Sequence, residues 1–173
     1  MTRVVLVPGV LALLPEYASI EDPVAELRDA VLEAVGSLEG PVGVLGDSQG
    51  MRVGAWALEA EGVSTGSTTG GQDLLVVGNG SAKRTTEAPG YLDERAAGFD
   101  AELGRALVDG DNQALGAVDV GLAAELWASV EGIVAMGGLP DLGPGETLYA
   151  DDPFGVQYWV MRWRSSGDAG PDG

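Results

Sequence analysis

Three short apolar runs, the last two of them followed by a glycine-rich turn, alternate in this chain with segments that repeat apolar residues at helical spacing. The runs occupy residues 4–7, 41–45 and 73–77, and polar turns at 46–50 and 78–81 follow the second and third. Strands that alternate with helices are typical of α/β folds, in which crossover helices cover the sheet. We therefore predict a three-layer α/β/α sandwich with a largely parallel or mixed central sheet.

The remaining elements are predicted from caps and periodicity. Asp22 is a capping residue, and Pro23 suits the first helical position because its missing N–H costs nothing there. Apolar residues recur at helical spacing in the segments that follow. Helices are thus predicted over residues 23–39, 51–60, 92–107 and 119–136. Large residues alternate over residues 147–164, and this pattern predicts one closing strand.

The length of 173 residues is that of one domain. A globular chain of this size buries roughly 70% of its unfolded surface, which is enough for one core. We predict a single α/β domain over residues 1–164. Glycine, serine and threonine dominate residues 62–71, which predicts a flexible loop. Residues 165–173 are nearly free of apolar side chains and are expected to form a disordered tail.

The composition excludes several function classes. The chain has no histidine and no cysteine, so the usual catalytic triads and the usual nitrogen or sulfur sites for zinc and iron are absent. We expect no cofactor. A net charge of −18 repels phosphate backbones and anionic lipids, so neither nucleic acid nor membrane is an expected partner. No run reaches the ~18 apolar residues of a membrane span, and we expect a cytoplasmic protein.

The first glycine-rich turn, GDSQG at residues 46–50, matches the G-x-S-x-G pattern of a nucleophile elbow. It lies between a predicted strand and a predicted helix, as an elbow must. However, Ser48 has no histidine to activate it, and a serine hydrolase would need Lys83 as the base. The simpler interpretation is a tight turn in which Asp47 or Ser48 caps the following helix.

The second turn is rich in hydrogen-bond donors and in positive charge. It contains Asn79, Ser81, Lys83 and Arg84, and Lys83 is the only lysine of the chain. If the two turns end adjacent parallel strands, they meet at the sheet edge where α/β folds bind ligands. We therefore predict a site for a small anionic molecule that includes these four residues together with Asp47 and Ser48. The alternative is that Lys83 and Arg84 only compensate nearby acidic helices.

Two further groups of residues suggest other kinds of site, a magnesium site and a dimer interface. Glu146, Asp151 and Asp152 supply oxygen atoms that suit magnesium, although a solvated turn before Pro153 explains the aspartates more simply. The four tryptophans predict core or interface positions, because no basic groove accompanies them. If a homodimer forms, we expect Trp159 or Trp163 to contribute to its interface.

Three stretches of the chain resemble one known family. Residues 74–84, LLVVGNGSAKR, and residues 88–95, APGYLDER, are similar to actinobacterial proteins related to the catalytic chain of the class III extradiol ring-cleavage dioxygenases. Residues 152–158, DPFGVQY, resemble the closing strand of that group. The resemblance covers about half to two-thirds of the chain and implies a three-layer α/β/α fold.

For the active members of that family, the resemblance implies a non-haem Fe(II) that is held by two histidines and a carboxylate and opens a catechol ring with O₂. This chain has no histidine, so no iron ligand is carried over. We expect a metal-free, non-catalytic relative that binds a small anionic molecule. The alternatives are a serine hydrolase that uses Ser48 and a structural or partner-binding protein.

Overall fold

The computed structural model describes residues 2–14, 24–68 and 72–165, and these residues form five strands and six α-helices. The strands are β1 (Thr2–Val7), β2 (Gly43–Leu45), β3 (Leu74–Val77), β4 (Glu146–Asp151) and β5 (Tyr158–Ser165). The helices are α1 (Ala25–Gly36), α2 (Ser48–Ala60), α3 (Arg95–Asp109), α4 (Asn112–Gly116), α5 (Val120–Glu125) and α6 (Glu131–Met136).

The strands form one mixed sheet in the order β2-β3-β1-β5-β4. β1 pairs with β3 in parallel, with Val4 opposite Leu74, and β3 pairs with β2 in parallel. β5 runs antiparallel to both β1 and β4. The three strands formed by the short apolar runs are therefore the parallel ones.

Helices cover both faces of the sheet. Val5, Val7 and Val77 point to one face and pack in a core with α1 and α2. Val4, Leu6 and Val76 point to the other face and pack in a second core with α3 to α6. Because every residue of β3 is buried, both faces are apolar, as expected for a parallel strand between two helical layers. The predicted α/β sandwich is confirmed.

The single helix that we predicted over residues 119–136 is wrong. Asp119 does cap a helix, because its Oδ1 accepts a hydrogen bond from Leu122 N at 3.0 Å, but α5 ends at Glu125. Trp127 then takes a left-handed conformation with φ of 59°, and α6 begins only at Glu131. The backbone of Ser129 pairs with Asn79 instead. This pairing with another part of the chain outweighs the helical periodicity.

The single closing strand over residues 147–164 is also wrong, since the chain folds there into the hairpin β4–β5. Pro153 has no N–H to donate to a ladder, and it lies in the turn between the two strands. Trp159 and Trp163 of β5 are buried beneath α3, and the Trp163 indole donates to Leu107 O at 2.8 Å. Both side chains therefore belong to the core of this chain.

Several predictions fall partly or wholly outside the described residues. Asp22, Pro23 and the segments 69–71 and 166–173 lie outside them. The described part of the predicted loop is joined to Val42, directly before β2, because Val42 N donates to Ser64 O at 2.8 Å and Gly66 N donates to Val42 O at 2.8 Å. No helix within residues 2–14, 24–68 and 72–165 is long and apolar enough to cross a membrane.

Candidate functional site

The carboxyl ends of β1 and β3 form the natural ligand position of this sheet. The two strands are adjacent and parallel, but the chain leaves β1 towards the layer of α1 and leaves β3 towards the layer of α3. In open α/β sheets, ligands usually bind at the carboxyl ends of the strands where such a reversal occurs. Here the turn after β3 lies at that end of the sheet, and the turn after β2 lies on the other side of β3.

Asp47 connects the turn after β2 to the segment that contains Ser129. Its Oδ1 accepts from Gly50 N at 2.7 Å and caps α2, while its Oδ2 accepts from the Ser129 hydroxyl at 2.7 Å. Ser48 is the exposed first residue of α2. Within the described part of the chain, no hydrogen bond joins Ser48 to Lys83. The turn therefore behaves as a helix cap, and the serine–lysine geometry of a hydrolase is not formed.

The second turn uses its own donors to hold neighbouring segments. All of its backbone N–H groups from Gly78 to Ala82 donate within the protein, at distances of 2.8–3.0 Å. Their acceptors lie in Val7, Ser129, Gln157, Asp100 and Leu126. The Asn79 side-chain amide also donates internally, to Gly80 O at 3.1 Å. These N–H groups stabilise the fold and are not free to hold an anion.

Four side chains next to this turn form what we call the Asp100 network: Ser81, Arg84, Asp100 and Asp152. Asp100 is 2% exposed and accepts from Ser81 N at 2.8 Å, from Ser81 Oγ at 2.6 Å and from Arg84 Nη1 at 2.9 Å. Arg84 Nε donates to Asp152 Oδ2 at 2.7 Å. Arg84 thus bridges two carboxylates, and the Asp100 carboxylate accepts three hydrogen bonds, from Ser81 N, Ser81 Oγ and Arg84 Nη1.

The electrostatics of Arg84 follow from this network. Burial lowers the pKa of Arg84, but its hydrogen bonds to Asp152 and Asp100 and the charges of these carboxylates outweigh burial, so the pKa is raised overall. The network also needs glycine at position 80, since a Cβ there would lie 2.6 Å from Asp100 Oδ1. Asp100 is a residue that sequence reasoning missed, because it resembles any solvated aspartate on a helix.

Lys83 has a different environment from its neighbour Arg84. Its Nζ lies 5.4 Å from the ring centroid of Trp127, a cation–π contact, and its stem packs against Gly90. No carboxylate of the described residues forms an ion pair with it. Unlike Arg84, Lys83 therefore forms no ion pair with a described carboxylate, although its charge contributes to lowering the pKa of the Asp93 carboxyl.

Two exposed aromatic residues on the segments that contact Lys83 have left-handed backbone conformations. Trp127 has φ of 59° and is 56% exposed, while Tyr91, which follows Gly90, has φ of 61° and is 75% exposed. A left-handed conformation costs a residue with a Cβ roughly 1–2 kcal/mol. Strain of this kind is found most often at functional sites. No pattern in the sequence predicts either conformation.

The acidic residues near β4 do not converge on one point. Glu146 begins β4 and binds Arg162 Nε at 2.6 Å, whereas Asp151 ends the same strand. Asp152 belongs to the Asp100 network. Among the described residues, no group of three or more acidic side chains is placed to hold a metal ion. The three carboxylates serve as separate ion-pair partners and strand ends.

Comparison with known families and with curated proteins returns no relative. No family model matches the chain, and no curated protein matches it. The resemblance to extradiol dioxygenases therefore stays a prediction that rests on residues 74–84, 88–95 and 152–158. In the structure these segments surround one place, because they supply Ser81, Arg84 and Asp152 of the Asp100 network and the loop that packs against Lys83.

Proposed function

We propose that this chain is a non-catalytic, extradiol-dioxygenase-like protein that binds a small anionic molecule beside Lys83. The absence of histidine removes the iron ligands and the general base that the resemblance implies for active members. Within the described part of the chain Ser48 forms no hydrogen bond with Lys83, the base that a hydrolase would need, so the hydrolase has no support from this geometry. A cytoplasmic location and the absence of nucleic-acid partners stay predictions from composition and charge.

The observation that carries this proposal is the setting of Lys83. It lies on the turn after β3, and among the described residues its ammonium group contacts an aromatic ring and forms no ion pair. The Asp93 carboxylate acts on it through its charge but is itself bound by Arg95 at 2.8 Å. A carboxylate or phosphate ligand would pair with this charge while its remaining atoms cover Trp127 and Tyr91. Burial of these rings would offset part of the strain that their backbone conformations cost.

The other predicted residues support this position without contacting the ligand. Asp47 holds Ser129, and Ser129 pairs with Asn79, so the strained segment at Trp127 is joined to both turns. Ser81 and Arg84 bind Asp100 and hold the base of the turn that carries Lys83. These residues are positioning residues in the proposed site.

A partner protein is the second candidate for the same surface. Tyr91, Leu92, Trp127 and Phe154 are all exposed apolar side chains, and they lie on segments that contact the turn from Lys83 to Ala88. Grouped exposed apolar residues often mark a protein interface. This surface replaces the one that we predicted at Trp159 and Trp163.

Thermal unfolding in the presence of anions tests the first candidate. Phosphate, succinate and benzoate are added separately to the wild type, to Lys83→Met and to Arg105→Gln. The methionine keeps most of the apolar stem of Lys83, and Arg105 is an exposed arginine on α3 whose loss changes the net charge equally. A ligand at 100 times its Kd stabilises the native state by about 2.7 kcal/mol.

We expect at least one anion to raise the melting temperature of the wild type and of Arg105→Gln but not that of Lys83→Met. An equal rise in all three proteins would contradict the proposed site. The second candidate, a protein interface, is favoured by a different result. In that case no anion stabilises the wild type, and sedimentation of the purified protein shows a self-association that Leu92→Ser disrupts.

A further inference from the structure

Three arginines share one face of the sheet at the end opposite to Lys83. Arg3 lies on β1 directly opposite Arg164 of β5, and Arg162 lies opposite Val5. Since side chains alternate along a strand, all three point to the same side. They are one third of the nine basic residues of a chain whose net charge is −18. This concentration calls for a physical explanation.

The three arginines differ in their partners. Arg3 Nη1 lies 3.2 Å from Glu39, and Arg162 forms a two-point ion pair with Glu146 at 2.6 and 3.0 Å. Arg164 is exposed and has no ion pair with any described residue. Like charges directly opposite each other on antiparallel strands are destabilising. Glu39 and, at 3.8 Å, Asp73 compensate Arg3, and the charge of Arg164 acts on Glu146. Arg164 is therefore the arginine of this opposed pair that forms no ion pair with a described residue.

A cleft of about 640 Å³ lies over these residues. Its other walls are Ser37 at the end of α1 and the loop at residues 142–144. Two guanidinium nitrogens at the cleft, Nη1 of Arg162 and Nη2 of Arg3, donate to no described residue. Together with Arg164, they are available hydrogen-bond donors around one cavity.

We propose that this cleft binds the phosphoryl group of a small molecule or of free phosphate, with Arg164 as its principal ligand. Guanidinium groups match phosphate oxygens with paired, charge-assisted hydrogen bonds. Phosphate suits the cleft better than chloride, because its several oxygens can accept hydrogen bonds from more than one guanidinium group. Glu146, Glu39 and Glu33 lie nearby and repel any anion, so these hydrogen bonds must offset that repulsion. Glu146 and Glu39 are 60% and 80% exposed, so water screens much of their repulsion.

This site is independent of the proposed site at Lys83. Arg3 lies near the amino end of β1, whereas the turn that carries Lys83 follows the carboxyl end of β3. The two sites therefore lie at opposite ends of the parallel strands, and either proposal can be refuted without the other.

Calorimetric titration with inorganic phosphate and with glycerol 3-phosphate tests the inference. The proteins are the wild type, Arg164→Gln, Arg105→Gln and Lys83→Met. Arg164 and Arg105 are both exposed, neither pairs with a described carboxylate, and each substitution removes one positive charge. Arg105→Gln therefore controls for net charge. Melting temperatures confirm that each variant is folded.

We expect Arg164→Gln to weaken phosphate binding about tenfold or more and Arg105→Gln to change it less than about twofold. Tighter binding of glycerol 3-phosphate identifies an organic phosphate as the ligand, and equal binding identifies free phosphate. The inference is overturned if the wild type binds neither compound, or if Arg164→Gln and Arg105→Gln bind equally. It is also overturned if only Lys83→Met loses binding, a result that would instead support the proposed function.

Discussion

Arg84→Ala tests whether Arg84 holds the fold together. The substitution leaves the Asp100 carboxylate, which is 2% exposed, with Ser81 as its remaining donor residue. Breaking a buried ion pair by removing one partner costs ~3–5 kcal/mol. The Arg84 side chain is 24% exposed, and water therefore compensates part of the loss. We expect a loss of about 3 kcal/mol, at the lower end of that range.

In a chain of this size, a loss of 1 kcal/mol lowers the melting temperature by about 2–4 °C, so Arg84→Ala should lower it by about 6–12 °C. Urea unfolding followed by tryptophan fluorescence measures the free energy directly. A double-mutant cycle with Asp100→Asn should give a coupling energy of about 1.5–3 kcal/mol. Arg105→Ala is the matched control and should change stability by less than about 0.5 kcal/mol. A loss below about 1 kcal/mol, or no coupling, would refute the structural role of Arg84.

Two other predictions concern packing and pH. Gly132→Ala should lower the free energy of unfolding in urea by about 2 kcal/mol, because the new Cβ would lie 2.7 Å from Leu45 O. Gly98→Ala, whose Cβ would meet nothing within 4 Å, should leave this free energy unchanged or raise it. Equal effects of the two substitutions would contradict this packing. Burial raises the pKa of Tyr158 to about 12, and the unfolded value is about 10, so its contribution to stability is present below pH ~10 and lost as pH rises towards 12. Stability measured over this range should fall less steeply in Tyr158→Phe, and identical pH profiles would count against the assignment.

The two glycine-rich turns are features that local sequence signals predict correctly. β2 and β3 end where the apolar runs meet Gly46 and Gly78, and Asp47 caps α2, as an aspartate before a helix is expected to do. These features depend on a few neighbouring residues and on simple backbone preferences. Such signals could be predicted because no distant contact opposes them.

The break at Trp127 shows where local signals fail. The periodicity over residues 119–136 is that of one helix, but Ser129 pairs with Asn79 and Ala82 N donates to Leu126 O. The hairpin at the end of the chain is similar, since one alternating pattern fits both a long strand and two paired strands. In both regions, hydrogen bonds to residues distant in the chain decide the conformation.

The sequence alone determined the fold class, the two turns and the exclusion of histidine and cysteine chemistry, because these depend on composition, periodicity and local caps. Only the tertiary structure decided how Lys83 and Arg84 differ, since the burial of Asp100 binds one side chain and the break at Trp127 places a ring beside the other. It also placed Arg3 opposite Arg164, because strand register follows from packing of the whole sheet.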